Sequence, residues 1–213
     1  IINFYKKNGG IFSQEDFEEY KVKKLRPICG AYRIYKACSM PPPSSGGIAL
    51  IQMLNVLENF DISKLEHNSL EYLNILISTM DYAFFDRAKY LGDPEFFEVP
   101  QNMLTSKKYA LEIFKKIKAK KPAPKANIKF LEREETTHFS IIDKWGNVVS
   151  NTYTLNTAYG SGIVPTGTGI LMNNEMDDFS LKPGYPNAYG LVGSEANKIE
   201  PSKTPLSSMS PII

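Results

Sequence analysis

A threonine becomes a catalyst when the chain is cut in front of it. Its hydroxyl then lies beside its own free α-amine, a base close enough to activate a weak nucleophile. Thr136, in Thr136-Thr137-His138-Phe139-Ser140, is placed for that chemistry. A Lys/Pro-rich stretch and Glu134-Glu135 precede it, and a strand-like segment follows. On residue type alone, an ordinary strand threonine is the plainer reading.

Three other segments hold side chains of chemical interest. Asn173-Asn174-Glu175-Met176-Asp177-Asp178 concentrates carboxylates and amides. It lacks the alternate-residue ligand spacing of a calcium loop, but carboxylates so grouped can hold an ammonium group. A solvated acidic turn is the bland alternative, favoured on residue type alone. Leu206-Ser207-Ser208-Met209-Ser210-Pro211 can donate hydroxyl hydrogen bonds to a carboxylate, although ordinary turn chemistry also accounts for it. Met40-Pro41-Pro42-Pro43-Ser44-Ser45-Gly46-Gly47 superficially resembles a phosphate loop. It lacks the Gly-Lys-Ser/Thr ending, so a rigid turn leading into a buried helix is expected.

The elements that must position these residues divide the chain in two. Residues 1–135 read as mostly helical. Ser13 begins a short helix through Tyr20 with Asp16 placed for a capping box. Apolar residues from Ile48 to Leu57 predict a buried helix over 48–59, and Ser44 and Ser45 are available to cap it. Further helices are expected over Ser69–Tyr90, stopped by Gly92-Asp93-Pro94, and from Thr105 or Ser106 to about Ile117. Residues 31–39 alternate as one strand. Residues 115–129, with Lys115, Lys116, Lys118, Lys120, Lys121, Lys125 and Lys129, read as a solvated linker; aromatic residues are not interleaved there, which disfavours a nucleic-acid patch. Residues 136–213 read as β-rich. Strands are expected over His138–Asp143 and Val148–Leu155 around a Lys144-Trp145-Gly146-Asn147 turn, and over Gly169–Met172, with a Gly/Pro loop over Pro183–Gly193. The fold class is therefore α+β.

Composition narrows the function classes. Among 213 residues, 25 basic and 23 acidic side chains nearly balance, so charge supplies no argument for nucleic acid or an anionic membrane. No apolar run is long enough to span a bilayer. With His67 and His138 the sole histidines and no HExxH or CxxC, neither a zinc site nor any other cofactor is expected. Cys29 and Cys38 could pair in an oxidising compartment, but two buried thiols are the favoured reading. The absence of an initiator Met and the ending at Pro211-Ile212-Ile213 suggest a piece of a longer protein.

Taken together and in order, five segments resemble those of the gamma-glutamyltransferases (gamma-glutamyltranspeptidases): Met40–Gly47, Tyr90-Leu91-Gly92-Asp93-Pro94, Thr136–Ser140, Asn173–Ser180 and Pro205–Pro211. The resemblance extends over essentially the whole chain, and the joint pattern is far more specific than any one motif. It implies an N-terminal-nucleophile hydrolase with a layered αββα sandwich, here partial. It implies self-cleavage between Glu135 and Thr136, giving a large and a small subunit that stay together as a heterodimer. Thr136 would then be both processing residue and nucleophile, and Thr154 the second threonine that helps activate it. Asn156 and Glu175 would bind the α-amino end of a glutamyl group, Asp178 its ammonium, and Ser207 and Ser208 its α-carboxylate. Pro183 to about Ser194 would form a lid.

The implied reaction is transfer of the γ-glutamyl group of glutathione or a similar donor to water, an amino acid or a peptide. A periplasmic or secreted location is implied too. The family's early substrate-binding arginine and its Gly-Gly oxyanion pair are not in this sequence, so the isolated chain is expected to be unprocessed and weakly active or inactive. The alternatives are an inert binding module or a related N-terminal-nucleophile amidase or acylase, such as a cephalosporin acylase. Two departures from the family pattern stand out: Ser194 replaces a usual glycine, and Lys203-Thr204 replaces Lys-Arg.

Overall fold

A computed structural model describes residues 1–124, 136–186 and 192–213. Lys125, Lys129, Glu134, Glu135 and residues 187–191 of the expected lid lie outside the described residues. Two short helices open the chain, α1 (Ile2–Lys7) and α2 (Gln14–Glu18). Ser13 and Asp16 form the expected reciprocal capping box, and the helix ends two residues before Tyr20.

Strands β1 (Ile28–Tyr32) and β2 (Tyr35–Ser39) pair antiparallel. The single strand expected over 31–39 is thus two strands of a hairpin. Tyr32 pairs with Tyr35, and Arg33 takes a left-handed φ of 54° to make the two-residue turn. No Asn-Gly or Asp-Gly signals that turn, which is why alternation alone runs through it. The hairpin also corrects the thiol expectation. Cys29 lies directly opposite Cys38, with Cα atoms 4.1 Å apart, and the two are joined in a disulfide. The outer hydrogen bonds of Cys38 go to Ile213 instead, so the cysteines form a close, non-hydrogen-bonded cross-strand pair.

Three helices build the core: α3 (Gly46–Leu57), α4 (Leu70–Tyr90) and, after the single turn α5 (Gln101–Leu104), α6 (Lys107–Lys118). Ser69 and Ser106 cap α4 and α6 by accepting backbone N–H groups of Tyr72 and Tyr109. Lys115, Lys116 and Lys118 therefore belong to the last turn of α6, not to a linker, where they oppose the negative end of the helix dipole. Ile28, Ile48, Ile51, Leu91, Leu104 and Leu206 form one apolar cluster, and Val56, Tyr82, Ala110 and Ile113 another. The buried stripe of α4 follows helical spacing through Ile75, Thr79, Tyr82 and Ala83, then ends in Asp86 and Arg87. Asp86 stays in the core by accepting hydrogen bonds from Gln52 (2.5 Å) and Tyr109 (2.9 Å), and burial pushes its carboxyl above the usual range.

The second half begins with the hairpin of β3 (Thr137–Ile142) and β4 (Val148–Tyr153). The expected turn is present: Asp143 accepts the backbone N–H groups of Trp145 and Asn147. β3 is exposed along its length. Gly169–Met172 is not a strand. Gly167 and Gly169 are left-handed (φ 81° and 66°), and Met172 instead bonds across a loop to Ser161 and Ile163. Among the described residues the sheets are two-stranded, so the α+β chain contains only part of a layered sandwich.

Tight turns fasten the halves together. Asp93, in the turn that stops α4, accepts the backbone N–H groups of Glu95 (3.0 Å) and Thr204 (2.8 Å). Thr204 contributes only its backbone N–H to this contact, so the departure from arginine there does not disturb it. Ser194 likewise has its own use, donating to the Lys89 carbonyl at 3.0 Å. Gly92 lies so close to the Ala196 carbonyl that a Cβ would fall 2.1 Å from its oxygen.

Two measurements check this construction. Gly92→Ala should cost about 1–3 kcal/mol of stability, seen as a lower thermal midpoint, because backbone must move to admit the methyl. Thiol titration of the denatured, unreduced protein should find no free cysteine, and Cys29→Ser should cost about 2–4 kcal/mol.

Candidate active site

The turn over residues 41–45 and the segment over residues 206–210 are zipped together. Ser207 donates its N–H to the Pro43 carbonyl (3.0 Å), and its own carbonyl accepts both N–H and O–H of Ser45, at 2.8 and 2.9 Å. Ser44 donates its hydroxyl to the Met209 carbonyl at 2.6 Å. The rigid turn expected of the prolines is therefore one wall of a pairing. Ser45 occupies the N-cap position of α3 but its hydroxyl makes no cap; the long-range partner takes it instead.

Arg87 reaches this pairing from α4. Its Nε–H donates to Ser45 Oγ at 3.1 Å and its Nη2–H to Ser208 Oγ at 3.0 Å. The residue is 8% exposed. Burial pulls its pKa down to about 10, and the charge of Asp178 opposes that shift, so the guanidinium stays protonated near neutral pH. Sequence reasoning passed over Arg87. The signal for it was a cation on the apolar stripe of a helix, where an unpaired charge is costly.

The two serines are left with a defined chemistry. Ser207 Oγ accepts the Met209 N–H at 3.1 Å, and Ser208 Oγ accepts from Arg87. A hydroxyl has one proton to donate. Each accepts from a donor that cannot accept in return, so each turns its own O–H elsewhere, where it suits an anionic oxygen.

Glu175–Asp178 forms a single 3-10 turn, not a loose acidic loop. Both carboxyls are half-buried and face each other. Burial, followed by the Asp178 charge, pushes Glu175 up to about 7. Burial raises Asp178 as well, against the contrary pull of its hydrogen bond with Glu175 and of Arg87. Oε1 of Glu175 is buried with no hydrogen-bond partner among the described residues. An ammonium group is the kind of ligand such a pair would accept. The turn is anchored by Asn197, 4% exposed, whose Nδ2 donates to the Asp178 carbonyl (2.7 Å) while its Oδ1 accepts the Leu206 N–H (3.0 Å). One buried amide thus joins the acidic turn to the serine segment, a role its sequence position did not suggest.

The remaining candidates lie along the second hairpin. The register pairs Thr137 with Tyr153 and His138 with Thr152. Continued by one residue, it sets Thr136 opposite Thr154, on the face where His138 Nδ1 lies 2.7 Å from Thr152 Oγ1. Thr136 is exposed. Thr154 Oγ1 accepts the Asn156 N–H at 3.0 Å. Asn156 is buried and left-handed (φ 76°), and it donates from Nδ2 to the Asn174 carbonyl at 3.1 Å, one residue before Glu175. The chain of neighbours runs from Thr154 through Asn156 to the acidic turn, and from Asp178 by charge and by Asn197 to Arg87 and the serines. Of the lid, Gly184 N–H bonds to the Gly193 carbonyl and Pro186 bridges to Val192, which closes the base of that loop.

The fold is shared with N-terminal-nucleophile hydrolases. A cephalosporin acylase from Bacillus halodurans superposes with a TM-score of 0.76 at 27% identity, over 99% of this chain and 36% of that one. A gamma-glutamyltranspeptidase from Helicobacter pylori gives 0.53 at 47% identity, over 54% of this chain and 33% of that one. The gamma-glutamyltranspeptidase family model matches residues 1–213, and the chain belongs to that family. It is 51% identical to the glutathione hydrolase proenzyme of Escherichia coli (strain K12), over 97% of this chain and 37% of that protein. It is 36% identical to an acylase ACY 1 proenzyme of Pseudomonas sp. (strain SE83), over 100% of this chain and 37% of that protein. The chain spans little more than a third of the length of these relatives. Among the described residues no helix is long and apolar enough to cross a membrane.

The raised pKa of Glu175 has a thermodynamic consequence. Its stabilising contribution is present below the usual carboxylate pKa and is lost as pH rises through about 7, because the folded state holds the proton longer. Denaturant unfolding across that window should show stability falling with pH, and Glu175→Gln should flatten the fall.

Proposed function

We propose that the protein carrying this chain transfers the γ-glutamyl group of glutathione, or of another γ-glutamyl compound, to water or to an amino acid or peptide, through an ester on Thr136. The observation that supports this most is the linkage of unlike chemistries through Arg87, which bonds to Ser208 and feels the charge of Asp178. Two carboxyls, one with a buried oxygen unpartnered among the described residues, are tied through Asn197 to the segment whose two serine hydroxyls accept from Arg87 and Met209. A glutamyl head group has the matching pair, an α-ammonium and an α-carboxylate. Asp178 takes the ammonium, Asn156 and Glu175 bind the same α-amino end, and Ser207 and Ser208 hold the carboxylate.

Processing precedes catalysis in this reading. Thr136 Oγ attacks the Glu135 carbonyl, the amide nitrogen leaves with the hydroxyl proton, and water hydrolyses the resulting ester. Residues 1–135 then belong to a large subunit, and residues from Thr136 onward to a small one, in a heterodimer. The freed α-amine, with a reference pKa of about 7.7–8.0, serves as base. It takes the Thr136 hydroxyl proton as Oγ attacks the γ-carbonyl, and returns it to the departing amine. Water or an acceptor amine then resolves the γ-glutamyl ester. Thr154, opposite Thr136 in the continued register, orients the hydroxyl. The disulfide of β1 and β2 suits an oxidising compartment, which supports a periplasmic or secreted location.

The acylase relative marks a second reading, but identity to glutathione hydrolase proenzymes is higher, 51% against 36%.

Expression from the complete gene provides the test. N-terminal sequencing should find a subunit starting at Thr136, and the protein should release the chromophore from a γ-glutamyl anilide. Thr136→Ala should stay uncut and lose about 10³-fold or more in rate. A cut, active Thr136→Ala protein would refute the assignment.

A further inference from the structure

Arg87 is a buried cation without a salt bridge among the described residues; its two hydrogen bonds go to neutral hydroxyls, Ser45 Oγ at 3.1 Å and Ser208 Oγ at 3.0 Å. Ion pairing would satisfy a buried guanidinium better than serine does. Its geometry has a different effect. A guanidinium has N–H donors and no acceptor, so Ser208, accepting from it, must turn its own proton elsewhere. Ser208 is also exposed while Arg87 is buried. The serine thus stands between the buried charge and solvent. Ser45, the other partner, is fixed by its bond to the Ser207 carbonyl, so the same cation braces the backbone of the adjacent serine.

We propose that Arg87 is a positioning residue for recognition of the substrate's α-carboxylate, acting through Ser208: it holds that hydroxyl as an obligatory donor and sets a positive charge behind it. This deepens, and rests on, the γ-glutamyl reading above. The arginine does not touch substrate. An α-carboxylate bound at Ser208 gains the hydroxyl hydrogen bond, polarised by the guanidinium, and supplies a nearer counter-charge for Arg87 than Asp178, which acts at a distance among the described residues.

The experiment is a double-mutant cycle on the processed protein expressed from its complete gene, with γ-glutamyl-p-nitroanilide as substrate. Arg87→Met should raise KM by about tenfold or more and leave kcat within about threefold, since the interaction is with a part of the substrate remote from the reacting carbonyl. Ser208→Ala should raise KM similarly, and adding Arg87→Met to it should change KM by less than about twofold. Arg87→Lys, which keeps the charge but loses the fork, should fall between Arg87→Met and the unsubstituted protein. An unchanged KM in Arg87→Met, or effects of the two substitutions that simply multiply, would overturn the proposal. Should Arg87→Met fail to process, the cycle is run with Arg87→Lys against Ser208→Ala and judged by the same criterion. Lack of γ-glutamyl turnover by the unsubstituted protein is a distinct result, which overturns the functional reading and this role along with it.

Discussion

The pairing of residues 43–45 with residues 207–209 is the contact on which the site depends. It joins the start of α3 to the serine segment through backbone hydrogen bonds reinforced by the short hydroxyls of Ser44 and Ser45. The cis peptide between Pro42 and Pro43 belongs to this turn. Leu206 packs with Ile48 and Ile51 immediately beneath, so the hydrophobic core and the polar pairing share an edge. Arg87 is buttressed there because Ser45 is already fixed. Remove the pairing, and the guanidinium loses one anchor while the serines lose their fixed direction.

The acidic turn obeys a different constraint. Carboxyls placed side by side and half out of water resist full ionisation, and Glu175 responds with a pKa near 7. Arg87 lies close enough to moderate Asp178, and Asn197 holds the Asp178 backbone against the start of the serine segment. Like charges and a buried cation are kept together here by neutral hydrogen bonds, which compensate them less well than direct ion pairs would. The core repeats the theme away from the site, where Asp86 is kept by Gln52 and Tyr109 rather than by a cation.

Local chemistry made much of the fold legible. Ser69 and Ser106 cap helices that end close to where Gly92-Asp93-Pro94 and the pattern to about Ile117 indicate, the Ser13 capping box forms, and the second hairpin turns at Lys144–Asn147. Failures occur where long-range contacts overrule local pattern. Ser45 reads as an N-cap, yet its hydroxyl is claimed from the far half of the chain. Gly169–Met172 reads as a strand, but left-handed glycines fold it back on Ser161 and Ile163. Alternation through residues 31–39 hides the turn that brings Cys29 opposite Cys38. At the candidate site, the acidic and serine segments stand out by composition. Arg87 and Asn197 do not, because their importance comes from partners more than a hundred residues away or in a neighbouring turn.

Sequence distance at the serine pairing has a kinetic meaning. Ser45 and Ser207 are 162 residues apart, Ser44 and Met209 are 165, and Ser39 and Pro211 are 172. Closing so large a loop adds little to its entropic cost, which grows only with the logarithm of length, but non-local closure is slow. On a ribosome, α3 and α4 can form and pack long before residues 206–211 emerge. The serine pairing thus closes only after the helices it adjoins are in place.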